Sequence, residues 1–411
     1  MGSIAVLAAG LAACAGRPHG VLNEYRGTVP VQPNVKVLVA TTRTALAAGN
    51  GELFGGGRGR GLRFADIHIS IPPAGNRKIG EVQWPSRLPG NPATDFITTY
   101  SRVIDQKEAL GRFYGRLRQT PHRHVLLFVH GYNTRFEEAV YRFAQIVHDS
   151  QTPALPLLFT WPSRGDLLAY TYDRESANYS RDALEAVLQH MAKDGAVQEI
   201  SILAHSMGNW VTLEALRQMA IRDKRIAPKI KSVMLAAPDV DADVFRRQIA
   251  EIGEIRPPFT LFISQDDRAL ALSQRVWGNE ARVGAVDPTK EPYKSDFAKA
   301  RINVIDLTKR KGLDNINHDK FATSPQVVQM IGRRLDAGQT LTDAQPGLGE
   351  RVGLAATGAA KTVGSAAGLA VSVPLAVVDG RTRDSLGSQA RNLGGNVSDT
   401  IGSVGTLAPG Q

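Results

Sequence analysis

One cysteine, Cys14, occurs among the 411 residues, so no internal disulfide can form and the fold must be held by packing. The same scarcity removes every paired-cysteine metal spacing. No His-Glu-x-x-His run occurs either, so the ligand set of a metallohydrolase is missing and neither a metal nor an organic cofactor is expected. Long apolar runs are absent as well. Residues 4–13 form an apolar stretch too short to span a bilayer. Thr362 to Val378 is uncharged but only mildly apolar, and Pro374 interrupts it. From Pro346 to Gln411 there is no Phe, Trp, Tyr or His, and a segment so poor in bulky groups buries too little to fold by itself. That end reads as a flexible tail or a weak membrane-surface contact. No internal repeat is present.

Acidic charge is in deficit. Lys and Arg number 49 against 39 Asp and Glu, a net charge of +10. This basicity is expected to face anionic lipid or envelope polysaccharide, each cation near an anionic surface being worth ~1 kcal/mol. Nucleic acid is not expected as a partner. The run Gly55–Gly61, with Arg58 and Arg60, superficially resembles an RNA-binding Gly/Arg segment, but no aromatic platform accompanies it, and it reads as a mobile loop.

A hydrophobic content of 43% can fill the core of one α/β domain of enzyme size. Apolar segments at 35–41, 64–71, 124–129, 155–160, 199–204, 230–237, 259–264 and 301–307 are candidate strands. Helical spacing lies between the later ones, most clearly at 175–191, where Tyr179, Leu184 and Leu188 share a face. Tyr179 is expected to pack there. The roles of Tyr170 and Tyr172, between pocket and packing, stay open. Strands alternating with helices predict a mainly parallel central sheet of about eight strands, covered by helices on both faces.

The most informative stretch is Ala204-His205-Ser206-Met207-Gly208, between the apolar run Glu199–Leu203 and the helical run beginning at Asn209. A serine in a sharp strand-to-helix turn is a nucleophile elbow, and the turn presents its hydroxyl at the carboxyl edge of a sheet. In that arrangement the base follows the serine in the chain, and His318 is the single histidine after Ser206. An acid is expected between them, at the end of the strand Phe259–Ser264. Asp267 is preferred, with Asp266 capping the turn or helix, and Asp239 is the rival. Asp239, Asp241 and Asp243 alternate, but the Gly and terminal Glu of an EF-hand loop are missing, and helix capping suits Asp241 and Asp243 better. The early strand Val125–Val129 leads into His130-Gly131-Tyr132-Asn133, so the amides of Tyr132 and Met207 are the candidate oxyanion donors. His130 itself reads as a structural hydrogen-bonder.

These runs, together with Phe159–Ser163 and Ala237-Pro238-Asp239, resemble an uncharacterised bacterial family of α/β-hydrolases described as esterase- or lipase-like. The likeness covers roughly residues 35–335. It implies the α/β-hydrolase fold and a Ser-Asp-His triad, and no particular substrate. Ala40–Arg43 and Ile69–Pro72 resemble segments that precede the core in that family, and they read as sheet edge and packing.

Leu11-Ala12-Ala13-Cys14 has the form of a lipobox, although Met1-Gly2-Ser3 lacks the basic residues of a signal n-region. The expected organisation is a signal peptide at 1–13, a linker at 14–34, a hydrolase domain at 35–338 and a Gly/Ala-rich tail at 339–411. Lipidation of Cys14 would anchor the protein in the cell envelope. The expected activity is serine-dependent hydrolysis of a carboxylic ester or related acyl bond, on a small-molecule or lipid ester. The contrasting expectation is a lipid-anchored binding or scaffold protein with little catalysis.

Overall fold

A computed structural model of the chain describes residues 19–47, 51–254, 256–276 and 279–336, all within the unit Met1–Thr340. Cys14, the segment 1–13 expected to be a signal peptide and the expected tail at 339–411 lie outside the described residues. Nine strands form one sheet: β1 (Asn34–Ala45), β2 (Phe54–Ser70), β3 (Ile97–Ile104), β4 (His124–Val129), β5 (Leu155–Thr160), β6 (Glu199–His205), β7 (Ile230–Ala236), β8 (Phe259–Ile263) and β9 (Ile302–Asp306). Their order is β3-β2-β1-β5-β4-β6-β7-β8-β9. From β1 across to β9 every pairing is parallel, whereas β2 and β3 add antiparallel strands at one side.

The α-helices among the described residues are α1 (Gln106–Leu117), α2 (Phe136–Ser150), α3 (Tyr170–Lys193), α4 (Gly208–Asp223), α5 (Ala242–Ile252), α6 (Arg268–Val276), α7 (Tyr293–Lys299), α8 (Lys320–Thr323) and α9 (Pro325–Asp336). Burial explains why the central strands are mostly apolar. All six residues of β4 are buried, because β4 is paired on both edges and covered on both faces. Val125, Leu127 and Val129 share a core cluster with α1, α3, α4, α5 and α7 residues, while Phe128 stacks on Phe143 of α2 on the other face. Caps set the helix starts, as where Asp105 accepts the Glu108 amide at α1 and Asp241 accepts those of Asp243 and Val244 at α5.

The mainly parallel sheet agrees with the expected one and adds a strand to the eight candidates, while three local readings are corrected, those of Gly55–Gly61, Ala40–Arg43 and Tyr179. The sheet has nine strands, because Ile97–Ile104 pairs with β2; as an outer strand it mixes exposed and buried residues and lacks the continuous apolar run of a central one. The Gly55–Gly61 run is not a mobile loop but part of β2, held against the end of β1 through two register shifts. Glycine is needed there, since a Cβ on Gly59 would lie 2.6 Å from the Arg43 carbonyl oxygen. Ala40–Arg43 is not sheet edge either, for β1 lies between β2 and β5. Tyr179 projects outward, 46% exposed, and its hydroxyl donates to the Gly59 carbonyl.

Candidate active site

The turn from β6 into α4 carries Ser206 in the left-handed region, at φ 51°. An L-residue held there costs roughly 1–2 kcal/mol, so the surroundings must enforce it. They do: the Ser206 amide donates to Ala236 of β7 at 3.0 Å, and the Asn209 side chain donates to the carbonyls of Ser206 and Ala236, each at 2.9 Å. The elbow is also tight. A Cβ on Gly208 would lie 2.7 Å from the Val129 carbonyl oxygen, and one on Gly131 would lie 2.7 Å from Ser206 Cβ. The loop after β4 therefore presses directly on the serine.

His318 lies in the loop between β9 and α8, and its Nδ1 donates to Asp267 Oδ2 at 2.7 Å. The other oxygen, Oδ1, accepts the Leu270 amide at 2.9 Å and so caps the first turn of α6. Both elements are pinned. The Arg268 amide donates to the Ile316 carbonyl at 3.0 Å, and Asp314 accepts the His318 amide at 2.5 Å. Burial disfavours the imidazolium, but the Asp267 charge and hydrogen bond outweigh it, with help from Asp319 and Asp239, and push His318 up to about 9.

Of the three candidate acids, Asp267 meets the histidine and the others are occupied elsewhere. Asp239 accepts from Tyr170 at 2.9 Å and Ser273 at 2.7 Å, with Arg282 at 3.5 Å. Asp266 is paired with Lys320 at 2.7 Å and accepts the Ser264 hydroxyl at 2.5 Å. The expected division of labour is thereby altered: Asp267 caps the helix as well as holding the imidazole, and Asp266 ties the acid loop to α8. Tyr170 thus supports Asp239, while Tyr172 lies under the Arg164 guanidinium, 3.7 Å from its ring centroid.

Of the two candidate oxyanion donors, Met207 follows the serine in the chain and Tyr132 belongs to the loop after β4. Met207 is the N-cap of α4, where first-turn amides have no partner within the helix and the dipole favours negative charge. Tyr132 follows Gly131 in the loop pressed against Ser206.

Several groups were not visible as site residues. His205 packs against His318 with ring centroids 4.7 Å apart, and its Nε2 lies 3.3 Å from Asp319, which in turn meets Arg142 at 3.3 Å. Burial and the neighbouring His318 push His205 down to about 3, so it stays neutral. Arg142 lies on α2, and no spacing relates it to the elbow. Lys320 is 2% exposed and donates to Asp266, Ser264 and the carbonyls of Leu307 and Thr308. Its one signal was proximity to His318 in the chain. Among the described residues no group of three or more His, Cys, Asp or Glu side chains could hold a metal, and no helix is long and apolar enough to cross a membrane.

Comparison with known proteins agrees with this architecture. An uncharacterised protein of Nostoc sp., alr1448, is 26% identical over 152 residues, covering 31% of this chain and 39% of the relative. The chain thus matches less than half of that relative's length. A solved lipase-esterase related protein from Clostridium acetobutylicum is 11% identical, with 51% of this chain and 93% of that one covered and a TM-score of 0.28, a likeness too slight to build on. Residues 105–334, more than half of the chain, match the family described as alpha/beta hydrolase of unknown function (DUF900), and the chain belongs to that family.

Proposed function

We propose that the protein is a serine hydrolase acting on a carboxylic ester or related acyl bond. Ser206 Oγ attacks the carbonyl carbon as His318 Nε2 takes the hydroxyl proton. The tetrahedral oxyanion rests on the amides of Tyr132 and Met207, and its collapse expels the alcohol, protonated by His318. Water, deprotonated by His318, then hydrolyses the acyl-enzyme. Asp267 holds the imidazole with Nδ1–H directed at its carboxylate, leaving Nε2 as the basic nitrogen, and it stabilises the imidazolium formed in each half-reaction. The observation that carries this reading is the 2.7 Å hydrogen bond between His318 Nδ1 and Asp267 Oδ2, supported by the left-handed conformation of Ser206 and by the packing of His318 on His205, the residue before that serine.

A fluorophosphonate probe tests it. Wild-type protein is expected to be labelled at Ser206 and Ser206→Ala to be unreactive. An unlabelled wild type, or equal labelling of the variant, refutes the catalytic reading and leaves a binding or scaffold role on this fold. The substrate is proposed to be a small-molecule or lipid ester met at the cell envelope, with Cys14 carrying the lipid anchor. If Cys14→Ser remains in the membrane fraction as wild type does, the anchor lies elsewhere.

A further inference from the structure

Arg43 is 1% exposed near the end of β1, and no carboxylate meets its guanidinium. Its Nη1 donates to the carbonyls of Ser163 at 2.8 Å and Gly55 at 3.2 Å; its Nη2 donates to the Thr134 carbonyl at 2.8 Å and to His130 Nε2 at 3.4 Å. Its Nε has no partner among the described residues. A buried cation held by neutral acceptors is costly, so packing alone is a poor reason for an arginine at this position. Burial also lowers its pKa to about 10, with Glu137, Asp173 and Glu138 acting against that from a distance.

The contacts of Arg43 converge on the loop that follows β4. His130 Nε2 receives the Trp161 amide at 3.2 Å, and an amide can only donate, so that nitrogen carries a lone pair. The ring proton therefore sits on Nδ1, which donates to the Gly131 carbonyl at 2.8 Å. Burial and the adjacent Arg43 charge hold His130 well below its ordinary pKa, so the neutral form persists. A trans peptide is planar with its C=O and N–H opposed. Fixing the Gly131 carbonyl toward the His130 ring therefore turns the Tyr132 N–H the other way. Farther along, the Thr134 amide donates to Ser163 Oγ at 3.0 Å, and the Ser163 hydroxyl donates to the buried Asp173 at 2.5 Å.

We propose that Arg43 is a positioning residue: by holding the Nδ1–H tautomer of His130 and the Thr134 carbonyl, it fixes the Gly131–Tyr132 peptide so that the Tyr132 amide faces the developing oxyanion. The inference rests on the serine-hydrolase reading. It gives a role to the Ala40-Thr41-Thr42-Arg43 run, for which the elbow chemistry alone had no use.

The test uses the full chain with Arg43→Lys, Arg43→Met, His130→Ala and His130→Asn. It measures the p-nitrophenyl acetate kcat and KM, the rate of fluorophosphonate labelling, and the tautomer of His130 by ring-nitrogen NMR. Arg43→Met is expected to lower kcat ~100-fold with KM within about twofold, as for loss of one oxyanion donor. With only the Trp161 amide left to donate to Nε2, the Nδ1–H form of His130 should lose part of its preference, seen as a larger Nε2–H population than in wild type. Arg43→Lys, which lacks the fork, should lose nearly as much. His130→Asn places an amide donor near the former Nδ1 and should recover most of the activity that His130→Ala loses. If Arg43→Met does not fold, the lysine and asparagine variants decide alone. A reactive wild type with unchanged kcat in both Arg43 variants overturns this inference alone, and so does an unaltered His130 tautomer. An unreactive wild type overturns the hydrolase reading and this one with it.

Discussion

Replacing Asp267 by Asn should move the pH dependence of the chemistry, and the structure sets both direction and size. With Asp267 Oδ2 at 2.7 Å, His318 is pushed from 6.5 to about 9 despite its burial. The general base must be neutral, so the wild-type labelling rate is expected to rise about tenfold per pH unit from pH 7 and to level off near pH 9. Asparagine accepts the Nδ1 hydrogen bond but brings no charge. Burial then dominates, the midpoint falls toward or below 6.5, and the plateau rate drops by orders of magnitude because the imidazolium formed in the transition state has lost its counter-charge. The shift corresponds to about 3 kcal/mol of differential stabilisation.

Linkage supplies a second reading of the same shift. A histidine whose folded pKa is raised adds stability that is fully present below its unfolded value of 6.5 and is lost as pH rises through about 9. Thermal melts should therefore show wild type losing its advantage over Asp267→Asn between pH 6.5 and 9. His205 works with the opposite sign. Depressed to about 3, it is neutral in the fold, and its contribution is lost as pH falls from 6.5 toward 3. A wild-type labelling midpoint below pH 7, or one unmoved by Asp267→Asn, would refute the reasoning.

Other outcomes follow from individual contacts. Asp239→Asn should retain labelling within about tenfold, with a pH midpoint lowered far less than in Asp267→Asn, since Tyr170 and Ser273 occupy its oxygens and its charge acts on His318 only from a distance; a collapse equal to that of Asp267→Asn would transfer the acid role. Lys320→Met removes the cation that pairs with Asp266 and one donor to each of two carbonyls, and should cost about 2 kcal/mol in urea unfolding, below the full buried-pair penalty because the Asp266 side chain is 42% exposed. An unchanged midpoint would count against the clamp. Gly208→Ala places a methyl 2.7 Å from the Val129 carbonyl oxygen, and the forced shift should destabilise by about 1–3 kcal/mol and abolish labelling.

The elbow, the lone downstream histidine and the strand-end carboxylate were legible because each is a local pattern tied to an apolar run. The central strands β4, β6, β7 and β8 were legible for the same reason, being largely buried and rich in apolar residues. β3 was not, since its residues Ile97–Ile104 lie on an outer strand with mixed exposure. Gly55–Gly61 misled in the other direction: glycine usually weakens a strand, and here it lets β2 pass within reach of the Arg43 carbonyl. Arg43, Asp173 and Arg142 stayed hidden because a charged residue in sequence reads as solvated. Their significance lies in burial and in contacts spanning many residues, such as the 177 that separate Arg142 from Asp319.

The backbone of Ser206 offers a way to tell a working elbow from an ordinary turn without any substrate. At φ 51° a side chain is strained and glycine is not, so Ser206→Gly should be more stable than Ser206→Ala by about 1 kcal/mol, read as the difference in urea midpoints. In an unstrained helical start the order would reverse, because glycine loses more entropy on folding and alanine favours helix by about 1 kcal/mol. The sign therefore decides whether the Ala236 and Asn209 contacts hold the serine in a conformation that it would otherwise leave. Alanine proving the more stable would remove the strain and, with it, the reason to see β6 and α4 as built to present a hydroxyl. A binding scaffold has no use for such strain, whereas a nucleophile needs the hydroxyl held out at the end of β6.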